Sequence, residues 1–302
     1  MDVMSSSKLS LGPLLFNWDA EKTRDFYFAI ADDAPIDHVF LGEVVCRKRL
    51  AGKNYLPDIM ERLQKAGKKV VLSGLILISD ERDMKASQDL AAAADDYMVE
   101  ANDLSLVSLL QGQEHAIGPY INIYNEATLK YYEQQGGRHI CLPPELPAAS
   151  LRALAKVATS DLEIQVFGRM PLAISARCYH ARAHNLHKDN CQYICNRDPD
   201  GLTVETLEGQ DFLAINGLQT LSYRYGNLLA ELPELAAMGI QNFRLSPHDV
   251  DMIKVSQLYR DFLDGKKSLA QTNDSLEAEM IAIEFSNGYY HNVAGLEQVN
   301  KP

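Results

Sequence analysis

Three cysteines stand close together in the second half of the chain. Cys178, Cys191 and Cys195 follow a C-x12-C-x3-C spacing. A fourth, Cys46, ends the run Leu41-Gly42-Glu43-Val44-Val45-Cys46. The fifth, Cys141, lies between Ile140 and Leu142, a setting for a small buried apolar residue rather than a ligand. Cysteines in a long intracellular chain serve metal or redox chemistry more often than structural disulfides. Zinc sites usually take close pairs of thiolates, and only Cys191 and Cys195 make such a pair. An iron–sulfur cluster accepts four thiolates from scattered positions. Spacing leaves both centres open, and unligated thiols are a third reading. His180, His184 and His187 share the segment. One could replace a thiolate, or all three could be solvated polar residues.

Substrate handling needs polar groups near such a centre. Glu43, Asn122, Glu145 and Arg244 fall on or just after short apolar runs, and Arg169 and Arg177 flank the approach to Cys178. An arginine there could hold a carboxylate through two parallel hydrogen bonds. Structural roles compete with this. Asn125 suits a helix cap, and Glu43 could pair with Arg47 one helical turn on.

The elements that position these residues alternate. Strand-like runs are expected at residues 11–16, 38–42, 69–74, 96–100, 117–122, 138–142, 163–168 and 242–246. Helical patterns fall between them at 19–31, 55–66, 125–135, 145–158 and 228–237, with Asp19 as a candidate N-cap and Gly67 and Gly239 where C-cap glycines belong. A variable surface helix is expected over 80–95. Eight strands with intervening helices point to a (β/α)8 TIM-barrel-like fold, with an open doubly wound sheet as the alternative. Roughly 70 residues separate the seventh strand from the eighth, far more than one crossover helix needs. Residues 171–227 therefore read as a cysteine-bearing insertion, and 203–216 within it as a hairpin turning near Glu208-Gly209. Residues 265–302 read as a C-terminal tail of the single barrel-like domain. In a parallel barrel the ends of strands two and seven emerge on the same face, so the four thiols can meet.

The chain has 302 residues, 29 Lys plus Arg against 41 Asp plus Glu, a net charge of −12 and 46% hydrophobic residues. That balance argues against wholesale disorder, a nucleic-acid coat or a polybasic membrane binder. The start, MDVMSSSKLS, lacks a secretory pattern. The longest apolar stretch, 70–79, is broken by Ser73 and Gly74 and is too short to span a membrane. A soluble cytoplasmic protein is expected. There is no glycine-rich phosphate loop, no H-E-x-x-H and no G-x-S-x-G.

Several segments together carry a resemblance. They are Leu11-Gly12-Pro13 with Trp18, Leu41-Gly42-Glu43 through Cys46, and Pro171-Leu172-Ala173-Ile174-Ser175-Ala176-Arg177-Cys178. Asn216-Gly217-Leu218-Gln219-Thr220, Arg244-Leu245-Ser246-Pro247, Asn287-Gly288-Tyr289-Tyr290 and Ala294-Gly295-Leu296-Glu297 continue it. The chain resembles the collagenase-like (U-type) peptidase family over essentially its whole length, and within it the branch that serves ubiquinone biosynthesis. The resemblance implies a [4Fe–4S] cluster on Cys46, Cys178, Cys191 and Cys195. It also implies a heterodimer with a UbiU-like sister protein and cooperation with a UbiT-like lipid carrier. The implied activity is oxygen-independent ring hydroxylation of a ubiquinone precursor, with prephenate as hydroxyl source, and no proteolysis. Peptidase or hydrolase activity, hydroxylation of RNA bases as in other relatives, and a zinc-stabilised binding module are the competing readings. Among these the negative charge disfavours the RNA reading.

Overall fold

Short runs such as Val39-Phe40-Leu41 and Val70-Val71-Leu72 are apolar on both faces, as strands covered on both sides must be. The computed structural model describes Met4 and residues 6–52, 54–281 and 283–300. Its strands are β1 (Lys8–Leu11), β2 (His38–Leu41), β3 (Lys69–Ser73), β4 (Met98–Ala101), β5 (His115–Ile117), β6 (Gly137–Leu142) and β7 (Asp161–Ile174). There follow β8 (Leu202–Glu205), β9 (Asp211–Asn216), β10 (Gln219–Asn227), β11 (Asn242–Leu245) and β12 (Phe285–Ser286). Strands β1 to β7 pair in parallel in chain order, and β11 pairs in parallel with both β1 and β7. The sheet thus closes into an eight-stranded parallel barrel, the (β/α)8 TIM-barrel-like fold expected.

The helices are α1 (Ala20–Asp33), α2 (Leu56–Lys65), α3 (Glu81–Ala91), α4 (Leu104–Leu109), α5 (Glu126–Gln134) and α6 (Ala148–Ala155). They continue with α7 (Tyr179–Ala183), α8 (Leu232–Met238), α9 (Met252–Leu263) and α10 (Leu269–Glu279). Asn125 does cap α5, its side chain accepting the Thr128 N–H at 2.9 Å. Gly239 ends α8 in the left-handed conformation. Asp19 sits at the N-cap of α1 but makes no capping bond; it accepts from Asn196 instead.

Two strands lie earlier than expected. The first is Lys8–Leu11, not residues 11–16, and the fifth is His115–Ile117, not 117–122. The dipeptides Gly12-Pro13 and Gly118-Pro119 stop both ladders, because proline offers no N–H to the next strand. The apolar residues beyond them, Leu14, Leu15, Phe16, Ile121 and Ile123, are buried as loop residues packed on the apolar core.

Strand β7 runs well past residues 163–168. At Gly168, φ is +107° and a side-chain Cβ would stand 2.6 Å from His248 Nε2, so only glycine fits. Beyond this point β7 leaves the barrel and pairs antiparallel with β10, which pairs with β9, and β9 with β8. The interval 171–227 is therefore an antiparallel sheet grown directly out of a barrel strand, with the cysteine segment between β7 and β8. The hairpin β8–β9 turns through Thr206–Gly209. In the tail, β12 pairs with β10; its residues 282, 301 and 302 lie outside the described residues.

The large apolar core lies between the outer faces of the strands and the helices. The barrel interior is different. Phe40, Val71 and Ala116 form a small separate cluster. Beside it a charged group replaces the usual layers of branched side chains. Arg244 Nη2 lies 2.5 Å from Glu163 Oε2 and 2.7 Å from Glu100 Oε1. Ser10 donates to Glu163, Ser73 donates to Glu100 at 2.7 Å, and His139 Nε2 stands 3.2 Å from Glu163. Burial alone would raise the Glu163 pKa; the charges of Arg244 and His139 and the bond from Ser10 outweigh it and hold the carboxyl well below its usual range.

Candidate metal centre

The first cysteine is set by the turn that ends β2. Gly42 has φ +136°, and a Cβ there would meet the Ser73 carbonyl at 2.4 Å. Glu43 then folds back, and its Oε1 accepts the N–H groups of both Val45 and Cys46 at 3.0 Å. Arg49 closes the arrangement. It donates to the Leu15 carbonyl at 2.7 Å and to Asn216 at 3.0 Å, stands 3.8 Å from Glu43, and lines the same cavity as Cys195.

The other three cysteines come from the insertion. Cys178 is the N-cap of α7, and its Sγ accepts the Ala181 N–H at 3.4 Å. Cys191 follows the short turn Lys188–Asn190. Gln192 and Tyr193 then adopt φ of +50° and +54°, which reverses the chain into the turn Ile194–Arg197 that carries Cys195. Two successive non-glycine residues in the left-handed region are strained backbone, a feature that collects at functional sites.

Cys46, Cys178, Cys191 and Cys195 line one cavity, with Arg49, Ile194, Gly217 and Leu218 completing its wall. Cys141 is elsewhere, fully buried inside the barrel near Glu163 and Arg244. Burial pushes the Cys46 and Cys178 thiols up, so neither is a ready nucleophile without a ligand to hold its thiolate. Among the described residues, the metal-type ligand atoms that cluster within 4.8 Å of one another are those of His180, His184 and Asp198, and the cysteine sulfurs form no such trio. Four thiolates on one zinc ion, at Zn–S about 2.3 Å, would sit about 3.8 Å apart. Four thiols lining one cavity are a donor set that either a zinc ion or an iron–sulfur cluster can use.

The other anticipated residues divide. Glu43 is beside the centre but buried, engaged with the Cys46 turn and with Arg49 rather than with Arg47, which pairs with Asp83. Arg244 is 3% exposed inside the barrel and committed to Glu163 and Glu100, not presented at a strand end. Asn122 is exposed, and Glu145 accepts from the Tyr124 hydroxyl; neither lines the cysteine cavity. Arg177 lines an open groove beside Cys178 together with Arg182, His187 and Lys188. His180 is not solvated: it is fully buried, 2.7 Å from Asp198.

A further network was hidden in the sequence. Asp200 receives His248 Nδ1 at 2.6 Å, the Tyr225 hydroxyl at 2.6 Å and Arg169 at 2.8 Å. The Arg169 N–H donates to His248 Nε2 at 2.9 Å, so both nitrogens of the ring are engaged. Against the upward push of burial, these partners hold the Asp200 carboxyl well below its usual range. They pin the chain just after the cysteine segment onto β7 immediately past its Gly168 bend. Nothing in the spacing of these residues marks them in advance.

No helix among the described residues is long and apolar enough to cross a membrane. Among solved structures, a U32 peptidase is similar at 12% identity, covering 80% of this chain and 92% of its own, with a TM-score of 0.43. Dihydropteroate synthase of Thermus thermophilus is similar at 13% identity over 88% of this chain and 95% of its own, TM-score 0.42. The spore cortex-lytic enzyme SleL of Bacillus cereus is similar at 10% identity over 87% and 75%, TM-score 0.42. The profile of peptidase family U32 matches residues 19–300, nearly the whole chain, so the protein belongs to that family.

Proposed function

We propose that this chain is a UbiV-like member of family U32. In this reading it is the [4Fe–4S] subunit of an oxygen-independent hydroxylase of ubiquinone biosynthesis, and it works in the cytoplasm. It pairs with a UbiU-like subunit, takes its ring substrate from a UbiT-like lipid carrier, and uses prephenate as hydroxyl donor. The observation that carries this reading is the convergence of Cys46, Cys178, Cys191 and Cys195 on one cavity, from two remote parts of the chain. A bound cluster would supply one-electron transfer there. The chain's own groups do the rest: the Ala181 N–H hydrogen-bonds Cys178 and the Arg49 guanidinium lines the cavity, and both set how readily charge is accepted. Arg177, at the groove beside Cys178, offers a guanidinium to a carboxylate.

The test has two arms. Protein purified without oxygen should be brown and carry about four irons and four sulfides per chain. Deleting the gene should abolish ubiquinone under anoxia and leave it normal in air. Zinc without sulfide, or normal quinone under both conditions, overturns the reading. Proteolysis that survives replacement of all four cysteines would favour the parent family's peptidase activity instead.

A further inference from the structure

We infer that His180, His184 and Asp198 form a second metal site, outside the cysteine cavity, for one divalent first-row transition cation such as zinc. One nitrogen of each ring and one carboxylate oxygen all lie within 4.8 Å of one another. The sequence brings the two imidazoles together, since residues four apart share a face of a helical turn. His180 lies in α7 and His184 is its C-cap. Their rings stack with centroids 5.9 Å apart. The carboxylate arrives from the other side of the cysteine segment, as Asp198 directly follows the turn that carries Cys195.

Two features set this group apart from an ordinary ion pair. A His–Asp pair needs one imidazole, yet a second is stacked on the first. His180 is also fully buried, with its Nε2 held toward the Asp198 carboxylate at 2.7 Å. Two imidazoles and a carboxylate leave coordination positions for water and suit zinc, iron(II) or cobalt(II). Imidazole ligands argue against calcium and magnesium, which prefer oxygen. The cation would take the place of the hydrogen bond between His180 Nε2 and Asp198 Oδ2, 2.7 Å apart. It would join the start of the cysteine segment to its end, bracing the loop from outside. The site uses none of the four cysteines and stands whether or not they hold a cluster.

The test is a titration of the full-length protein, stripped with a chelator, with cobalt(II) and then zinc(II). One cobalt per chain should bind with visible d–d absorption and no thiolate charge-transfer band, in addition to any cobalt taken by the four cysteines, which that near-ultraviolet band marks. His184→Ala and Asp198→Asn should each weaken binding about tenfold or more. Cys191→Ser should leave the d–d absorption of that cobalt intact. Zinc should slow proteolysis between residues 184 and 198 in the wild type but not in His184→Ala. His184 ends its helix, so that variant tests the site without removing the buried ring. Binding only with thiolate bands, no binding at all, or unchanged affinity in folded His184→Ala overturns the inference.

Discussion

Glu43 holds Cys46 by its backbone: the carboxylate accepts the cysteine N–H at 3.0 Å while the buried Arg49 guanidinium stands 3.8 Å from the same oxygen. One side chain thus fixes the first thiol and balances the charge beneath the cavity. Replacing Glu43 by Gln keeps an acceptor but leaves Arg49 buried without its counter-charge. Breaking a buried pair this way is expected to cost about 3–5 kcal/mol. Urea unfolding should report that loss, and metal retention in the folded fraction should fall with it.

The turn before Glu43 admits only glycine. In Gly42→Ala the new methyl would press on the Ser73 carbonyl at 2.4 Å, at φ +136°. Strain of this kind costs about 1–3 kcal/mol, and here it also displaces the Glu43–Cys46 turn. The expected result is a lower melting temperature together with a larger fall in metal content than Gly67→Ala produces, since a Cβ at Gly67 meets nothing within 4 Å.

Arg244 is the central charge of the barrel interior. Arg244→Met would strand Glu163 and Glu100, both fully buried, without their shared cation. The expected destabilisation is about 3–5 kcal/mol. Chemical unfolding should show it, and a double variant that also replaces Glu163 by Gln should recover part of the loss.

Acid should destabilise the protein through two carboxylates. Burial raises the pKa of Glu163 and Asp200, but their cationic and hydrogen-bond partners outweigh it and hold both below the unfolded-state values. Groups depressed in the folded state stabilise it fully above their unfolded pKa and lose that contribution as pH falls through the folded pKa. Stability should therefore be flat in these groups near neutrality and decline from about pH 4 downward. Denaturant midpoints between pH 7 and pH 3 check this, and Asp200→Asn should flatten the decline.

The cysteines should separate cleanly in a serine scan. Cys46→Ser, Cys178→Ser, Cys191→Ser and Cys195→Ser each remove a thiol from the shared cavity and should each abolish the visible chromophore of anaerobically prepared protein. Cys141→Ser lies inside the barrel and should keep the chromophore while lowering stability. Loss of colour in Cys141→Ser alone would contradict the assignment.

The barrel was legible because each strand is a short apolar run bounded by glycine, proline or charge, and strands β2, β3, β6 and β11 fall within a residue or so of where that pattern puts them. The early positions of β1 and β5 trace to buried loop residues that continue the apolar signal past a Gly-Pro stop. The meeting of Cys46 with the other three cysteines was legible from strand parity, since both strand ends face one way. Arg49 was not, because three basic residues stand in a row and only packing selects the one that turns inward. The Asp200, His248, Tyr225 and Arg169 network joins residues 25 to 79 positions apart, a distance at which no local pattern operates.

The ion group inside the barrel also has a geometric meaning. Glu163, Arg244, Ser10 and Glu100 belong to four different strands, β7, β11, β1 and β4. Side chains alternate across a strand, so a slip of one residue in the seam between β11 and its two neighbours would turn Arg244 out among the helices and leave two carboxylates facing each other. An apolar interior tolerates such a slip far better, because one branched side chain can stand for another. The charges act as a key that admits a single shear of the closed cylinder. The same seam sets where β7 exits, and so fixes how far above the rim the thiol-bearing arm is carried.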